Sequence, residues 1–503
     1  MTEFNFLQSL PSIAPEIGLT ILAVVVLFLD VYLPEHQRRN IAYVTAVGLS
    51  LLAITPIIWG PPAPDSAAAA ENLLYWGGMV RHDVLAQIFK VMVLLAAALS
   101  ALMAVDMKGL GRRGEYYLIL VVSTLGATLI SGAADLILVF LGLETLTIPL
   151  YVLAAFKRDD PRSAESGIKY FLFGSFASAL LLFGLSLLYG FTGQTNIYAV
   201  ASQLDTALSG APVPVLAAMV LILAGFGFKI SAVPFHFWTP DMYEGAPTPV
   251  VAFVSVASKA ASFALLMRFL IAVFPETLVI GGQALQGFWV QLAAAMAVVS
   301  MTLGNVLALS QRNIKRLLAY SSIAQAGYTL IGVAAIQSQT AQGVASVGFY
   351  LFMYTFTNIL AFAVVLLFSE ATGSETIADL AGLNRRSPWL ALVMTVALLS
   401  LAGIPPTAGF FGKFFLFNAA VEANLTWLAI VGVLNAIVAL YYYLIVIKVM
   451  YVDRSADEDK PIPMSRASGW VLAVPTLLVI ILGTFGAQVV FEWAKQGAMS
   501  LFL

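Results

Sequence analysis

The chain has 503 residues, 60% hydrophobic and only 10% charged, with 25 Lys and Arg against 27 Asp and Glu and a net charge of -2; its mean hydropathy is +0.92. Soluble domains carry about a quarter charged residues, so this balance excludes a water-facing globule. The absence of cysteine excludes disulfides and cysteine-ligated iron–sulfur clusters, and the basic clusters are too short for a nucleic-acid partner.

Apolar stretches of roughly 20 residues recur from end to end, each long enough to cross about 30 Å of hydrocarbon as a helix. Continuous runs such as Ile21 to Leu29 and Val471 to Phe485 exclude a strand barrel, whose segments alternate. The predicted fold class is all-α, a polytopic transmembrane bundle of about 14 helices. They fall near residues 15–33, 41–60, 82–105, 115–131, 134–156, 163–191, 213–236, 248–274, 287–309, 314–336, 343–369, 389–421, 424–451 and 469–494. The first stretch carries Glu3 and Glu16 and no positive flank, which reads as a spanning helix and not a cleaved signal.

Basic residues alternate with the helices. Arg38 and Arg39 follow the first, Lys108, Arg112 and Arg113 the third, and Lys157, Arg158 and Arg162 the fifth. Arg312, Lys315 and Arg316 follow the ninth, Arg385 and Arg386 the eleventh, and Arg454, Lys460 and Arg466 the thirteenth. By the positive-inside rule both termini lie outside the cytoplasm, with an even number of crossings. One loop dissents: Thr239 to Pro249 should be cytoplasmic by parity, yet it holds Asp241 and Glu244 and no Lys or Arg. Either it has special chemistry or a helix is miscounted.

Sliding the chain against itself by 180 residues aligns Tyr170–Gly193 with Tyr350–Gly373; Phe176/Phe356, Leu180/Leu360, Leu187/Leu367, Thr192/Thr372 and the closing glycines coincide. At nearly the same offset Leu223-Ala224-Gly225 matches Leu401-Ala402-Gly403, and each triplet leads into a Pro-interrupted stretch with a lysine. Chance agreement between apolar alphabets is the competing reading, and the shared offset and lysine favour duplication. Five helices per repeat is odd, so the two repeats are predicted to be inverted, with a path between them and discontinuous helices near the midplane. The breaks are expected at Ser231 to Pro234 in the seventh helix and at Gly403 to Gly409 in the twelfth. Residues 1–114 then hold helices 1–3, 115–274 the first repeat, 275–451 the second and 452–503 helix 14.

Four ionisable residues stand well inside apolar helices: Glu144, Lys229, Lys259 and Lys413. Each costs about 2.5–3.5 kcal/mol at a bilayer centre, so all must face protein or water. The structural reading is that the lysines snorkel to an interface, or that Glu144 only neutralises one of them; snorkelling suits Lys90, Arg268 and Lys448, nearer helix ends. The functional reading is a proton relay. A desolvated lysine holds its proton weakly and a nearby carboxylate restores it, so lysine switches where arginine stays charged. Glu144, read as the one deeply placed acid among several bases, is the expected partner of Lys229, with Lys259 relaying towards Lys413. Ser255, Ser258, Ser262 and His236 are candidates to hold connecting waters, though serine in such helices more often bonds a carbonyl one turn back. His36, His82 and His236 show no metal-ligand spacing, so no redox centre is expected on this chain.

These residues lie in motifs that resemble a known family. KISAVPFHFWTPDMYEGAPTPVVAFVSVASK from Lys229 to Lys259, LGLETLTIPLYVLAAF around Glu144, NIKRLLAYSSIAQAGY from Asn313 and GIPPTAGFFGKFFLF around Lys413 are similar to the antiporter-like subunits of respiratory complex I and of multi-subunit cation/proton antiporters. The resemblance covers roughly residues 115–450. It implies a membrane-arm subunit with proton half-channels in two inverted repeats, with Glu144, Lys229, Lys259 and Lys413 as the helix-five, -seven, -eight and -twelve residues of a hydrophilic axis. In one branch of the family the last is a glutamate, so Lys413 points to another. The chain also stops too soon for the lateral helix of the longest branch. The resemblance further implies a bacterial inner membrane, other membrane-arm subunits as partners, no cofactor on this chain, and FMN, iron–sulfur clusters and a quinone in the whole complex. The alternatives are a subunit of a multi-subunit sodium/proton antiporter, a solute transporter, which would need a polar pocket not visible here, and a scaffold, against which the interior charges argue.

Overall fold

Short polar side chains set where many helices begin. Asp83, Asp135, Asp160, Asn313 and Ser465 each accept a hydrogen bond from a first-turn backbone N–H, supplying an acceptor to donors that the helix leaves unpaired. The computed structural model describes residues 6–502 apart from 61–72, 211, 281, 338–339 and 458–459.

In chain order the long helices are α1 (Leu10–Tyr32), α2 (Arg39–Ile58), α3 (Val84–Ala104), α4 (Gly114–Ser131), α5 (Leu136–Ala154), α6 (Pro161–Thr192), α7 (Pro212–Lys229) and α8 (Thr248–Val273). They continue with α9 (Leu285–Ala308), α10 (Ile314–Ala334) and α11 (Gln342–Thr372). Next come α12 (Pro388–Ala402) and α13 (Ala408–Glu422), then α14 (Thr426–Tyr451) and the pair α15 (Arg466–Leu482) and α16 (Ala487–Met499). Twelve of these are long and apolar enough to cross a membrane singly. The twelfth predicted helix is the broken pair α12–α13, and the fourteenth is the pair α15–α16, bent by 84°. With α15–α16 counted as one crossing the described residues give 13 spans of sufficient length and apolarity, and the shorter pair α12–α13 stands where the remaining predicted helix was placed. The described strands are two-residue pairings only, Leu74–Tyr75 with Val80–Arg81 and Val279–Ile280 with Gln283–Ala284.

Burial divides the helices into two sets. α3, α8, α10 and α11 are enclosed by protein almost throughout, whereas α1, α2, α6, α9 and α14 leave most of their surface open. Only an enclosed helix shields a charge from lipid on all sides, and α8, which carries Lys259, is the most enclosed of all.

The repeat is visible as recurring contacts. Gly126 of α4 lies so close to α5 that an added Cβ would fall 2.1 Å from Leu146 N, and Gly304 of α9 would bring one 2.7 Å from Ala324 N of α10; both residues of the second contact lie 178 positions after those of the first. The backbone N–H of Leu136 donates to Thr195 O and that of Ile197 to Ala134 O, while Ile314 donates to Glu375 O and Ile377 to Arg312 O. α6 and α11 both close on a left-handed glycine, Gly193 at φ 64° and Gly373 at φ 73°. These contacts recur at offsets of 178 and 180 residues and are consistent with the internal repeat.

Both expected breaks are present. α7 stops at Lys229, earlier than the predicted 236, because Ser231 turns the chain at φ 61° and Pro234 lacks a donor to continue; the short helix Trp238–Gly245 follows. α12 stops at Ala402 on Gly403, at φ 87°, before Pro405 and Pro406. A third irregularity was not foreseen: Val254–Ser258 forms a π-helical turn immediately before Lys259, a feature frequent at functional positions.

Candidate proton axis

Lys229 is the last residue of α7 and is 4% exposed. Its Nζ donates to Thr147 Oγ1 at 2.5 Å. Glu144 lies one turn before Thr147 on α5 and accepts from Ser178 Oγ of α6 at 2.6 Å. No nitrogen–oxygen contact of ion-pair length joins Glu144 to Lys229 among the described residues: Thr147 takes the lysine directly, and Glu144, the expected partner, acts on it through its charge. The reason is register, since α7 ends level with the Thr147 turn and not the Glu144 turn.

Lys259, 2% exposed, donates to Ser322 O at 2.7 Å and Ser322 Oγ at 2.6 Å. Ser322 also receives Tyr354 OH at 2.9 Å and shares a 3.1 Å contact with Tyr243 OH. Residue 322 lies 178 positions after 144, the offset that relates the packing contacts above. Ser322 thus falls at the position in the second repeat that Glu144 holds in the first, and it is the neighbour of Lys259 that sequence reading missed.

Lys413, 5% exposed, donates to Leu401 O at 3.0 Å and Ala402 O at 2.9 Å, and its Nζ lies 4.5 Å from the centre of the Tyr328 ring. Those carbonyls end α12, and helix termination at Gly403 is what frees them. Polar side chains also lie between Lys413 and Lys259, with no hydrogen bond across the step from Ser322 to Ser321 among the described residues. Beside Ser322, Ser321 Oγ lies 2.6 Å from Tyr443 OH, Gln325 Nε2 contacts Tyr443 OH at 3.4 Å, and the same amide donates to Leu401 O at 3.1 Å. Tyr350 OH donates to Gln325 Oε1 and fixes the amide.

The lesser candidates divide. Ser255 Oγ bonds Ala252 O at 2.7 Å, as the structural reading expects, but also accepts from Asn358 Nδ2 at 2.7 Å. Ser262 Oγ, like Ser231 Oγ and Thr239 Oγ1 in the stretch after Lys229, is buried without a protein partner, the condition under which a buried water is expected. Polar side chains line the interval from Lys259 to Lys413 with one gap among the described contacts, between Ser322 and Ser321, and no hydrogen-bonded chain among the described residues joins Lys229 to either lysine.

Two bases expected to snorkel do not. Lys90 pairs with Glu16 at 2.8 Å, and Arg268 holds Asp83 through both guanidinium nitrogens at 2.7 and 2.9 Å; all four residues are buried. Glu144 is therefore not the only deep acid. Lys448 alone behaves as expected, at the surface beside Asp453.

The acidic loop is also explained. Asp241 receives Lys169 of α6 at 2.6 Å and Arg316 of α10 at 2.8 Å, Glu244 receives Arg316 at 3.0 Å, and Lys315 donates to Glu244 O and Ala246 O. Its cations come from neighbouring elements, so the loop shares a face with the basic loops and no helix was miscounted. Burial pushes the Asp241 carboxyl up, but the bonds from Lys169 and Arg316 outweigh it and hold the group below the ordinary carboxylate range.

The family described as NADH:quinone oxidoreductase/Mrp antiporter, TM, matches residues 133–439, a span that holds Glu144, Lys229, Lys259 and Lys413. The chain belongs to that family. Among its relatives, NADH-quinone oxidoreductase subunit N of Moorella thermoacetica is 43% identical over 490 residues, 97% of each chain. NAD(P)H-quinone oxidoreductase subunit 2 of Nostoc punctiforme is 44% identical over 465 residues, 90% of this chain and 83% of that one. A chain of respiratory complex I from Thermus thermophilus with bound aureothin is 31% identical with a TM-score of 0.75, covering 95% of this chain and 98% of the other. A chain of the Mrp complex from Dietzia sp. DQ12-45-1b, only 20% identical, shares the fold with a TM-score of 0.81. Within the NADH:quinone oxidoreductase/Mrp antiporter family, the relatives at 43–44% identity bear names from the oxidoreductase side.

Proposed function

We propose that this chain is a proton-translocating membrane subunit of a bacterial NADH-quinone oxidoreductase, and that Glu144, Lys229, Lys259 and Lys413 carry the protons. Both repeats, 115–274 and 275–451, contribute to the path, inverted about the membrane plane, with 1–114 and 452–503 as flanking helices. The bundle lies in the inner membrane with both termini outside the cytoplasm. FMN, iron–sulfur clusters and quinone belong to other subunits, and the other membrane-arm subunits are its partners.

The observation that carries this reading is the row of polar side chains between two buried lysines: Ser322 on Lys259, its chain neighbour Ser321 on Tyr443, and Gln325 between Tyr443 and the Leu401 carbonyl that also holds Lys413. Hydroxyls donate and accept at once and so hand a proton on; an amide and a carbonyl do not. Lys259 with Ser322 and Ser321 with Tyr443 therefore form two proton-passing segments, and water is required both between them and for the last step to Lys413 beside Gln325. Between Lys229 and Lys259 the buried, partnerless hydroxyls give the water path its anchors.

The antiporter alternative is separated by purification. A tagged form of this chain, drawn from membranes in mild detergent, is expected to bring flavin and iron–sulfur absorbance with it and NADH:quinone activity. Recovery with cation-antiporter subunits alone, free of flavin, would refute the assignment.

A further inference from the structure

The short helix Trp238–Gly245 that follows the break in α7 touches the immediate surroundings of both Lys229 and Lys259. At its start Trp238 Nε1 donates at 3.2 Å to Phe228 O, the carbonyl of the residue before Lys229, and the Trp238 ring stacks on Tyr170 of α6 with 4.4 Å between centres. Five residues on, about 7.5 Å along a helix, Tyr243 OH lies 3.1 Å from Ser322 Oγ, the hydroxyl that receives Lys259. Trp238 and Tyr243 are both buried. Between them Asp241 gives Oδ2 to Lys169 of α6 at 2.6 Å and Oδ1 to Arg316 of α10 at 2.8 Å, so one carboxylate ties the helix to both repeats. Glu244 adds a second contact to Arg316 at 3.0 Å, and Gly245 packs so closely on α6 that an added Cβ would fall 2.3 Å from Arg162 O.

We infer that this short helix is a rigid bar that fixes Lys229 and Lys259 relative to each other, and that Asp241 is the positioning residue that sets it. No hydrogen-bonded chain joins the two lysines among the described residues, so the bar is what couples the place of one to the place of the other. The fold alone does not call for these side chains: α13, which follows the corresponding break in the second repeat, holds no aspartate, tryptophan or tyrosine. Stability alone does not call for the ion pairs either, since Asp241 and Arg316 are each 31% exposed and pairs at such exposure contribute little by themselves. What the pairs supply is direction. A carboxylate with one oxygen on each of two helices cannot shift toward either without lengthening the other charged contact. Arg316 also lies six residues before Ser322 on α10, so the same contact holds the helix that presents Ser322 to Lys259. This role presupposes the proton path proposed above and adds to it a residue that touches neither lysine.

In vesicles carrying the assembled complex, Asp241→Asn is expected to lower kcat for NADH:quinone turnover per bound flavin, and proton uptake with it, by about tenfold, since misplacing a reacting group by about an ångström can cost up to about a hundredfold. KM for quinone is expected to keep its parent value. Asp241→Glu, which retains the charge for both contacts, is expected to recover kcat to within about twofold. Tyr243→Phe removes only the hydroxyl on Ser322, and adding it to Asp241→Asn is expected to lower kcat no further, because both act on one contact. Unchanged kcat per flavin in Asp241→Asn, whatever the yield of complex, would make the ion pairs a loop anchor and overturn the inference. Failure of Asp241→Glu to recover kcat, or effects of the two substitutions that multiply, would overturn it as well. Lys229→Ala measured alongside keeps the two proposals apart. If it abolishes pumping while Asp241→Asn turns over normally, the proton path stands and the bar falls; if it pumps normally, the path falls and takes the bar with it.

Discussion

With Lys259 replaced by alanine, proton uptake by inverted membrane vesicles oxidising NADH falls by about two orders of magnitude, the loss typical of removing a positioned acid–base group. Lys259 is enclosed on every side of α8, and its only described partners are the two oxygens of Ser322. No neighbouring base contacts those oxygens in its place. Lys259→Arg separates the two explanations for such a loss. Arginine keeps the charge and fills much of the space, but it does not release its proton, so it restores assembly without restoring uptake. Dye-quenching measurements that found Lys259→Arg pumping normally would remove Lys259 from the relay and leave it a structural cation.

Arg268→Ala is expected to cost about 3–5 kcal/mol, because it leaves Asp83 buried and short of its main partner. The guanidinium is fully buried, holds both carboxylate oxygens and reaches Tyr198 OH at 3.2 Å, while Arg81 contacts the same carboxylate at 3.2 Å. A loss of that size is a large share of a total stability of roughly 5–15 kcal/mol, so the variant chain should be depleted from the membrane fraction and the remainder should unfold at lower temperature. Arg268→Lys, which keeps a cation beside Asp83 and leaves the Arg81 pair intact, is expected to be less damaging than Arg268→Ala. Equal abundance and thermal stability of parent and Arg268→Ala would show that Asp83 does not depend on this pair.

Much of the fold was legible because lipid imposes simple rules. A helix must span the hydrocarbon, and a proline or a lysine inside it stands out against an apolar background. Those rules located the two breaks and singled out the four residues proposed for the axis. They did not tell Lys90 and Arg268 from snorkelling side chains, because lipid-facing and protein-facing helices are about equally apolar and linear position does not show which α3 or α8 face is enclosed. Nor did they fix the partner of Lys229. Glu144 and Thr147 are one turn apart on α5, and the choice between them depends on where α7 ends, which Ser231 decides three-dimensionally.

Ser322 was overlooked for a different reason. Serine is common in these helices and costs little, so nothing in its composition marks it. Its signal was the internal repeat: carried through at the 178-residue offset, Glu144 falls on Ser322 and Thr147 on Gln325, the two residues that contact Lys259 and lead to Lys413. The acidic Thr239–Pro249 loop teaches the same point about charge rules. Its cations were present in the sequence as Lys169, Lys315 and Arg316, but on elements 60 or more residues away.

The most direct test of the proton axis is simultaneous measurement of proton pumping and NADH:quinone activity in vesicles from cells whose only copy of this chain carries Lys229→Ala. The account predicts loss of pumping, with turnover falling alongside it, in a complex that still assembles with its full complement of flavin. Normal pumping and turnover in that variant would contradict it and leave the Lys229–Thr147 contact a matter of packing alone.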